Sequence, residues 1–253
     1  MSADLAEKAK ALRALHRPGD PVVLPNAWDA ASARRFAGLG FAAVATTSAG
    51  VANALGHADG EQIPADAMLA AVARIASAVS VPVTADLEAG YGLAPKELVG
   101  RLLEAGCVGI NLEDTDHGRG KGVLVDAGRQ ADRIAAVKEA GRAAGVDLVL
   151  NARVDTYLGA LEAGARVAES IRRGRRYLEA GADCVYPITA VDERDLGEIV
   201  RGVEGPVNAM ALPDAPPLAR LAQLGIARIT FGSLLMRRAL AEAERALREY
   251  LGS

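Results

Sequence analysis

One short pattern returns four times along the chain: the end of an amphipathic stretch, a glycine, then an apolar run. It reads Gly38-Leu39-Gly40-Phe41-Ala42-Ala43-Val44, then Glu104-Ala105-Gly106-Cys107-Val108-Gly109-Ile110. It comes again as Glu179-Ala180-Gly181-Ala182-Asp183-Cys184-Val185 and as Gln223-Leu224-Gly225-Ile226-Ala227-Arg228-Ile229. A glycine at that point suits the left-handed cap of a helix, and the run behind it suits a strand. Eight apolar runs read as strands: Val22–Leu24, Ala42–Thr46, Val81–Asp86, Gly109–Glu113, Leu148–Ala152, Cys184–Tyr186, Pro206–Met210 and Arg228–Phe231. Helical periodicity follows near 29–38, 64–78, 95–104, 126–143, 165–179, 192–201, 214–223 and 233–251. Strands alternating with helices build parallel βαβ units.

Eight such units in 253 residues predict an α/β fold of the (β/α)8 TIM-barrel type, one domain over 1–253. An open doubly wound sheet fits less well, because the first strand-to-helix turn, Pro25-Asn26-Ala27-Trp28-Asp29, has no glycine-rich dinucleotide fingerprint. Leu5, Ala9, Leu12 and Leu15 predict an extra N-terminal helix that ends at His16-Arg17-Pro18-Gly19 and covers one end of the barrel.

A net charge of −3 offers no basic footprint for nucleic acid. No apolar run approaches the roughly 20 residues that span a bilayer, and the N-terminus lacks the apolar segment of a signal peptide. Cys107 and Cys184 cannot build a disulfide framework, so a reducing cytoplasm is expected.

In a barrel of this type the chemistry sits at the C-terminal strand ends. There, strand alternation puts Thr84, Asp86 and Glu88 on one face, Asn111 and Glu113 on one face, and Asn151 with Arg153 on one face. Asp59 follows on the loop after the second strand, behind Thr46-Thr47-Ser48-Ala49-Gly50. Three carboxylates crowded at one rim repel each other unless a hard cation sits among them, and Mg²⁺ or Mn²⁺ suits one or two carboxylates plus waters and substrate oxygens. Arg153 has the fork that grips a carboxylate or phosphonate, and Thr47, Ser48 and Ala49 offer backbone N–H groups to an oxyanion. Any single acidic strand end is more often a rim charge or a helix cap. The case rests on three of them beside an arginine.

The five lysines, Lys8, Lys10, Lys96, Lys121 and Lys138, all fall outside the strands, which argues against a Schiff-base aldolase. The glycine-rich stretch Asp116-His117-Gly118-Arg119-Gly120-Lys121-Gly122 suits a mobile lid over the rim, with His117 or Lys121 as proton donor.

These stretches, from Leu24-Pro25-Asn26-Ala27-Trp28-Asp29 through Val83-Thr84-Ala85-Asp86-Leu87-Glu88-Ala89-Gly90-Tyr91-Gly92 and Gly109-Ile110-Asn111-Leu112-Glu113-Asp114 to Asn151-Ala152-Arg153, resemble the isocitrate lyase / phosphoenolpyruvate mutase superfamily. The resemblance runs from about Leu24 to Leu235. It implies that Asp86 ligates Mg²⁺ directly and that Asp59, Glu88 and Glu113 hold the ion's waters. It implies also that Thr47–Ala49 and Arg153 hold the anionic ends of a small α-keto or 2-hydroxy acid. An enolate-type species would form as a C–C or P–C bond breaks. Relatives are typically tetramers, sometimes with an exchanged eighth helix, so a homo-oligomer, tetramer or dimer, is expected. The chain departs from the lyases after the fourth strand: Glu113-Asp114-Thr115-Asp116-His117-Gly118-Arg119 carries no cysteine where theirs supplies an acid/base, and the Asn-Ser-Leu element of the phosphonate branch is also absent. A 2-methylisocitrate lyase-like C–C lyase is the first reading. Phosphonopyruvate hydrolase, phosphoenolpyruvate mutase and oxaloacetate decarboxylase are the alternatives, and a non-catalytic keto-acid-binding barrel is the reading from another class.

Overall fold

The structure, a computed structural model, describes residues 2–120, 122–159 and 161–252. Among them run nine strands: β1 (Val22–Leu24), β2 (Asn26–Ala27), β3 (Val44–Thr46), β4 (Val83–Asp86), β5 (Gly109–Glu113), β6 (Val149–Val154), β7 (Cys184–Pro187), β8 (Asn208–Met210) and β9 (Arg228–Thr230). All pair in parallel, in a six-stranded sheet β2-β3-β4-β5-β6-β7 and a three-stranded sheet β1-β9-β8. One expected strand is therefore two. Pro25 separates β1 from β2 because it has no N–H to give to a ladder, although its carbonyl still accepts from Ala45 N at 3.0 Å. At the other side a lone parallel bridge, Val185 to Val207, links the two sheets.

Ten helices fill the intervals: α1 (Ser2–Ala14), α2 (Ala30–Gly38), α3 (Ser48–Ala54), α4 (Ala65–Ser77), α5 (Pro95–Glu104), α6 (Ala127–Ala143), α7 (Ala163–Glu179), α8 (Glu193–Val203), α9 (Leu218–Gln223) and α10 (Leu234–Leu251). Helix α3 falls where a loop was expected, started by Thr47, whose Oγ1 caps Gly50 N. Helix α9 begins four residues later than its periodicity suggested, because Pro216-Pro217 disfavours helical backbone just before it.

The main core lies between strands and helices: Met68, Val72 and Ile75 of α4, Leu98 and Leu102 of α5, Ile134 and Val137 of α6 all pack there, fully buried. A second cluster, Leu12, Leu24, Ala45, Val108 and Val149, seals the N-terminal strand ends beneath α1. Gly109 makes this possible: a Cβ there would stand 2.7 Å from Thr84 Oγ1 and 2.9 Å from Leu12. Arg13 of α1 then reaches Asp183 at 2.7 Å and the Asp147 and Leu148 carbonyls, pinning the helix as expected across that end.

Candidate active site at the C-terminal strand ends

Strand register sets two rungs of polar side chains. Asp86 pairs with Asn111 and Asn111 with Asn151; one rung higher, Glu113 pairs with Arg153 and Arg153 with Tyr186. In the upper rung Arg153 Nη1 lies 2.5 Å from Glu113 Oε2, an ion pair out of line for a hydrogen bond. The guanidinium fork turns to Asp155, two residues along the same strand face, with Nε to Oδ1 at 2.7 Å and Nη2 to Oδ2 at 2.9 Å. Burial opposes the charge on Arg153, yet Glu113 and Asp155 outweigh it and hold the group more basic than a free arginine. Asp155 is fixed in turn by the Thr115 hydroxyl at 2.5 Å, and its N–H donates to Asp114.

Glu113 Oε1 meets His117 Nε2 at 2.7 Å. Burial pushes the Glu113 carboxyl up against the pull of Arg153 and His117, while the bond to Glu113 raises His117 and favours its protonated form. Glu88, 2% exposed, sits at a left-handed φ of 52° that side chains rarely adopt. That backbone turns its carboxylate back to accept from Gly60 N at 2.8 Å, Glu61 N at 2.7 Å and the Tyr91 hydroxyl at 2.5 Å. Glu61 returns the clasp by accepting from Tyr91 N at 2.6 Å. Asp86 Oδ2 takes both the N–H and the hydroxyl of Ser48, at 3.1 and 2.9 Å; its Oδ1 has one donor, Asn111 Nδ2, at 3.4 Å. Asp59 stands at the rim, exposed as a residue but with protein crowding its carboxyl, which desolvation and Asp86 push up. Desolvation raises Glu88 too, with Asp59 and Asp86 adding repulsion.

Two cavities of about 320 and 310 Å³ meet at this rim and share Glu113, Thr115 and His117. The second holds Asp59, Glu88, Arg153 and Asp155 as well, enough room for a small acid. Glu88, Glu113 and His117 bring one ligand atom each within 4.8 Å of one another. Asp86 stands outside that trio, hydrogen-bonded to Ser48 and Asn111. The residue types fit a hard divalent cation, since oxygen donors dominate and the carboxylates raise one another's affinity for protons. Thr47 caps α3, Ser48 is spent on Asp86, and Ala49 is half-buried on the first turn of α3.

The loop over the rim is closed by an antiparallel Thr115–Leu124 bridge and an Asp116 N to Val123 O bond of 2.7 Å. Gly122 meets Gly159 backbone to backbone: a Cβ on Gly122 would lie 2.5 Å from Gly159 Cα. That glycine serves close approach as well as turn geometry. Lys121, the other expected proton donor, lies outside the described residues. Tyr91 and Asp155 were missed as site residues. Asp155 was visible in principle, two positions after Arg153 on the same strand face.

With this geometry established, comparison with known proteins is direct. The family model "phosphoenolpyruvate phosphomutase" matches residues 12–251. The chain belongs to that family. Its motif resemblance to the wider isocitrate lyase / phosphoenolpyruvate mutase superfamily therefore stands. The chain is 36% identical to an uncharacterised protein of Mycobacterium tuberculosis, over 92% of this chain and 86% of that one. It is 30% identical to the oxaloacetate decarboxylase of Ectopseudomonas mendocina, over 90% of this chain and 79% of that one. A crystal structure from Burkholderia cenocepacia, described provisionally as a phosphonomutase, shares 37% identity at a TM-score of 0.89, covering 96% of this chain and 99% of that one. No helix among the described residues is long and apolar enough to cross a membrane.

Proposed function

We propose that this member of the family is a Mg²⁺- or Mn²⁺-dependent lyase that cleaves a C–C bond in a small 2-keto or 2-hydroxy carboxylic acid. One observation carries the reading: Glu88, Glu113 and His117 bring one ligand atom each within 4.8 Å of one another, in the lining of a small-acid-sized cavity that also holds Asp59 and Arg153. Asp86, Glu88 and Glu113 would hold the cation, with His117 in reach. Bound there, the cation would supply Lewis-acid stabilisation of negative charge developing on the substrate. Arg153 keeps its charge at any working pH and has N–H donors left over from Asp155 for the substrate carboxylate. His117, which its hydrogen bond to Glu113 biases toward the protonated form, would serve as proton donor to the product enolate when it is not itself a cation ligand. Oxaloacetate enters the substrate panel because of the 30% identical decarboxylase.

The reading extends to architecture. We infer that the two sheets close into one (β/α)8 barrel in a single domain; the short gap at Pro25 and the Val185–Val207 bridge support that closure. Leu240, Leu247, Tyr250 and Leu251 are exposed on α10, which supports a homo-oligomer that covers this helix with a second copy; a monomeric mass in light scattering would refute that part.

The test is metal-dependent pyruvate or other keto-acid release from oxaloacetate, 2-methylisocitrate and phosphonopyruvate. Turnover of a carbon acid only with Mg²⁺, falling about 10²-fold in His117→Ala, is the expected result. Phosphate release from phosphonopyruvate would move the chain to the P–C branch, and binding without turnover would make it a keto-acid-binding protein.

A further inference from the structure

Beneath the carboxylate rim lies a cation that none of the proposed chemistry uses. Arg228 is fully buried on β9, flanked in register by Val22 and Asn208, and it makes no ion pair among the described residues. Its Nε and Nη1 have no partner; its one hydrogen bond runs from Nη2 to Asn111 Oδ1, at 3.2 Å. An interior guanidinium without a carboxylate is expensive, so its surroundings need a compensating group. The carboxylate whose charge favours it is Asp86, and Asn111 stands between them.

The chemistry of the guanidinium settles how Asn111 is turned. An arginine only donates, so the atom that receives Nη2 must be the amide oxygen. Asn151 Nδ2 donates to the same oxygen at 2.9 Å. Reversing the amide would oppose donors to donors on that side and aim a carbonyl at the Asp86 carboxylate on the other. With its oxygen held by two donors, Asn111 presents its NH₂ to Asp86 Oδ1, while Ser48 holds Oδ2. Polar chains of this kind reinforce each link along them.

We propose that Arg228 is a positioning residue which, through the Asn111 amide, sets the orientation of Asp86 for a divalent cation. The inference rests on Asp86 as a metal ligand, and it assigns a role to a side chain that reaches Asn111 from β9. Outer partners of metal ligands typically change affinity by about 10–100-fold when lost. Simple long-range repulsion between Arg228 and the cation would act in the other sense, so the sign of the effect separates the two.

The experiment measures Mn²⁺ affinity and the bound-ion spectrum by electron paramagnetic resonance. It uses the wild-type chain, Arg228→Met, Arg228→Lys, Asn111→Leu and the Arg228→Met/Asn111→Leu double variant, with folding checked by circular dichroism. The expected result is affinity about tenfold lower in Arg228→Met and in Asn111→Leu, with an altered spectrum in both. The double variant should be no weaker than either single one, because both cut the same chain. Arg228→Lys, which keeps charge and a donor, should stay within about threefold of wild type. Should Arg228→Met not fold, Asn111→Leu against wild type and Arg228→Lys still reads the link. Unchanged or tighter Mn²⁺ binding in the folded variants, or effects that add, would overturn the relay alone. No Mn²⁺ binding by the wild-type chain would overturn the functional reading and the relay together.

Discussion

The two ends of the strand layer are built from the same residue types and treat them oppositely. At the N-terminal end Asp183 accepts from Arg13 Nε at 2.7 Å, Lys138 Nζ at 2.8 Å and Leu150 N at 2.8 Å, and Asp147 receives Arg13 and Lys138. Lys138 and Arg13 hold the Asp147 carboxyl below the usual range despite partial burial. At the C-terminal end Asp59, Glu88 and Glu113 are driven the other way, with Arg153 as the main cation among them. Charge is balanced where the chain closes its floor and left in deficit where it opens a cavity. A stretch of protein that leaves negative charge uncompensated in this way is a place to look for a ligand that completes it.

The contrast can be broken most sharply by Asp86→Ala, which should abolish Mg²⁺ or Mn²⁺ binding in isothermal titration and leave the fold intact. Unchanged metal binding in that variant removes Asp86 from the site. The floor should respond in the opposite manner. Lys138→Met strips a buried ammonium from Asp183 and Asp147, and because Arg13 still pairs with Asp183 it should cost about 1–3 kcal/mol of stability by urea denaturation. Metal affinity should not change; a shift there would mean the two ends are coupled.

A third effect belongs to the floor. His16 is 8% exposed, and burial together with Arg228 lowers its pKa to about 4. Its unfolded value is about 6.5. Between those values the unfolded chain takes up a proton that the folded chain refuses, so stability is full above about pH 6.5 and falls as pH drops toward about 4. The drop amounts to roughly 3 kcal/mol, and His16→Gln should flatten that slope in a stability-against-pH series. A slope identical to wild type would sink it. The smallest expected effect returns to the rim. Arg153→Lys keeps charge but loses the fork, and keto-acid affinity should fall by about 1–3 kcal/mol. Affinity within error of wild type would mean that Arg153 serves only Asp155 and Glu113.

What the sequence made legible follows from periodicity. The strands β4 and β5 announced Asp86, Glu88, Asn111 and Glu113 as same-face residues because alternation is local and rigid. It could not announce Arg228, which reads as one charged residue in an apolar run until β9 is seen to face β5 across the interior. Nor could it show that Ser48 N–H is consumed by Asp86, since that contact spans 38 residues. The split of the first strand was in view all along at Pro25, but its effect on sheet order depends on which neighbours lie on each side. Helix α3 hid because Ser48-Ala49-Gly50-Val51 carries too short an apolar pattern to separate from a loop.

The meeting of Gly122 and Gly159 leaves no clearance, with a Cβ on Gly159 falling 2.2 Å from the Gly122 carbonyl oxygen. The segment that carries His117 and the one that follows Arg153 are therefore in direct backbone contact at that point. A methyl group added at either glycine would act as a spacer, prising two rim segments apart without touching a single charged atom beneath them.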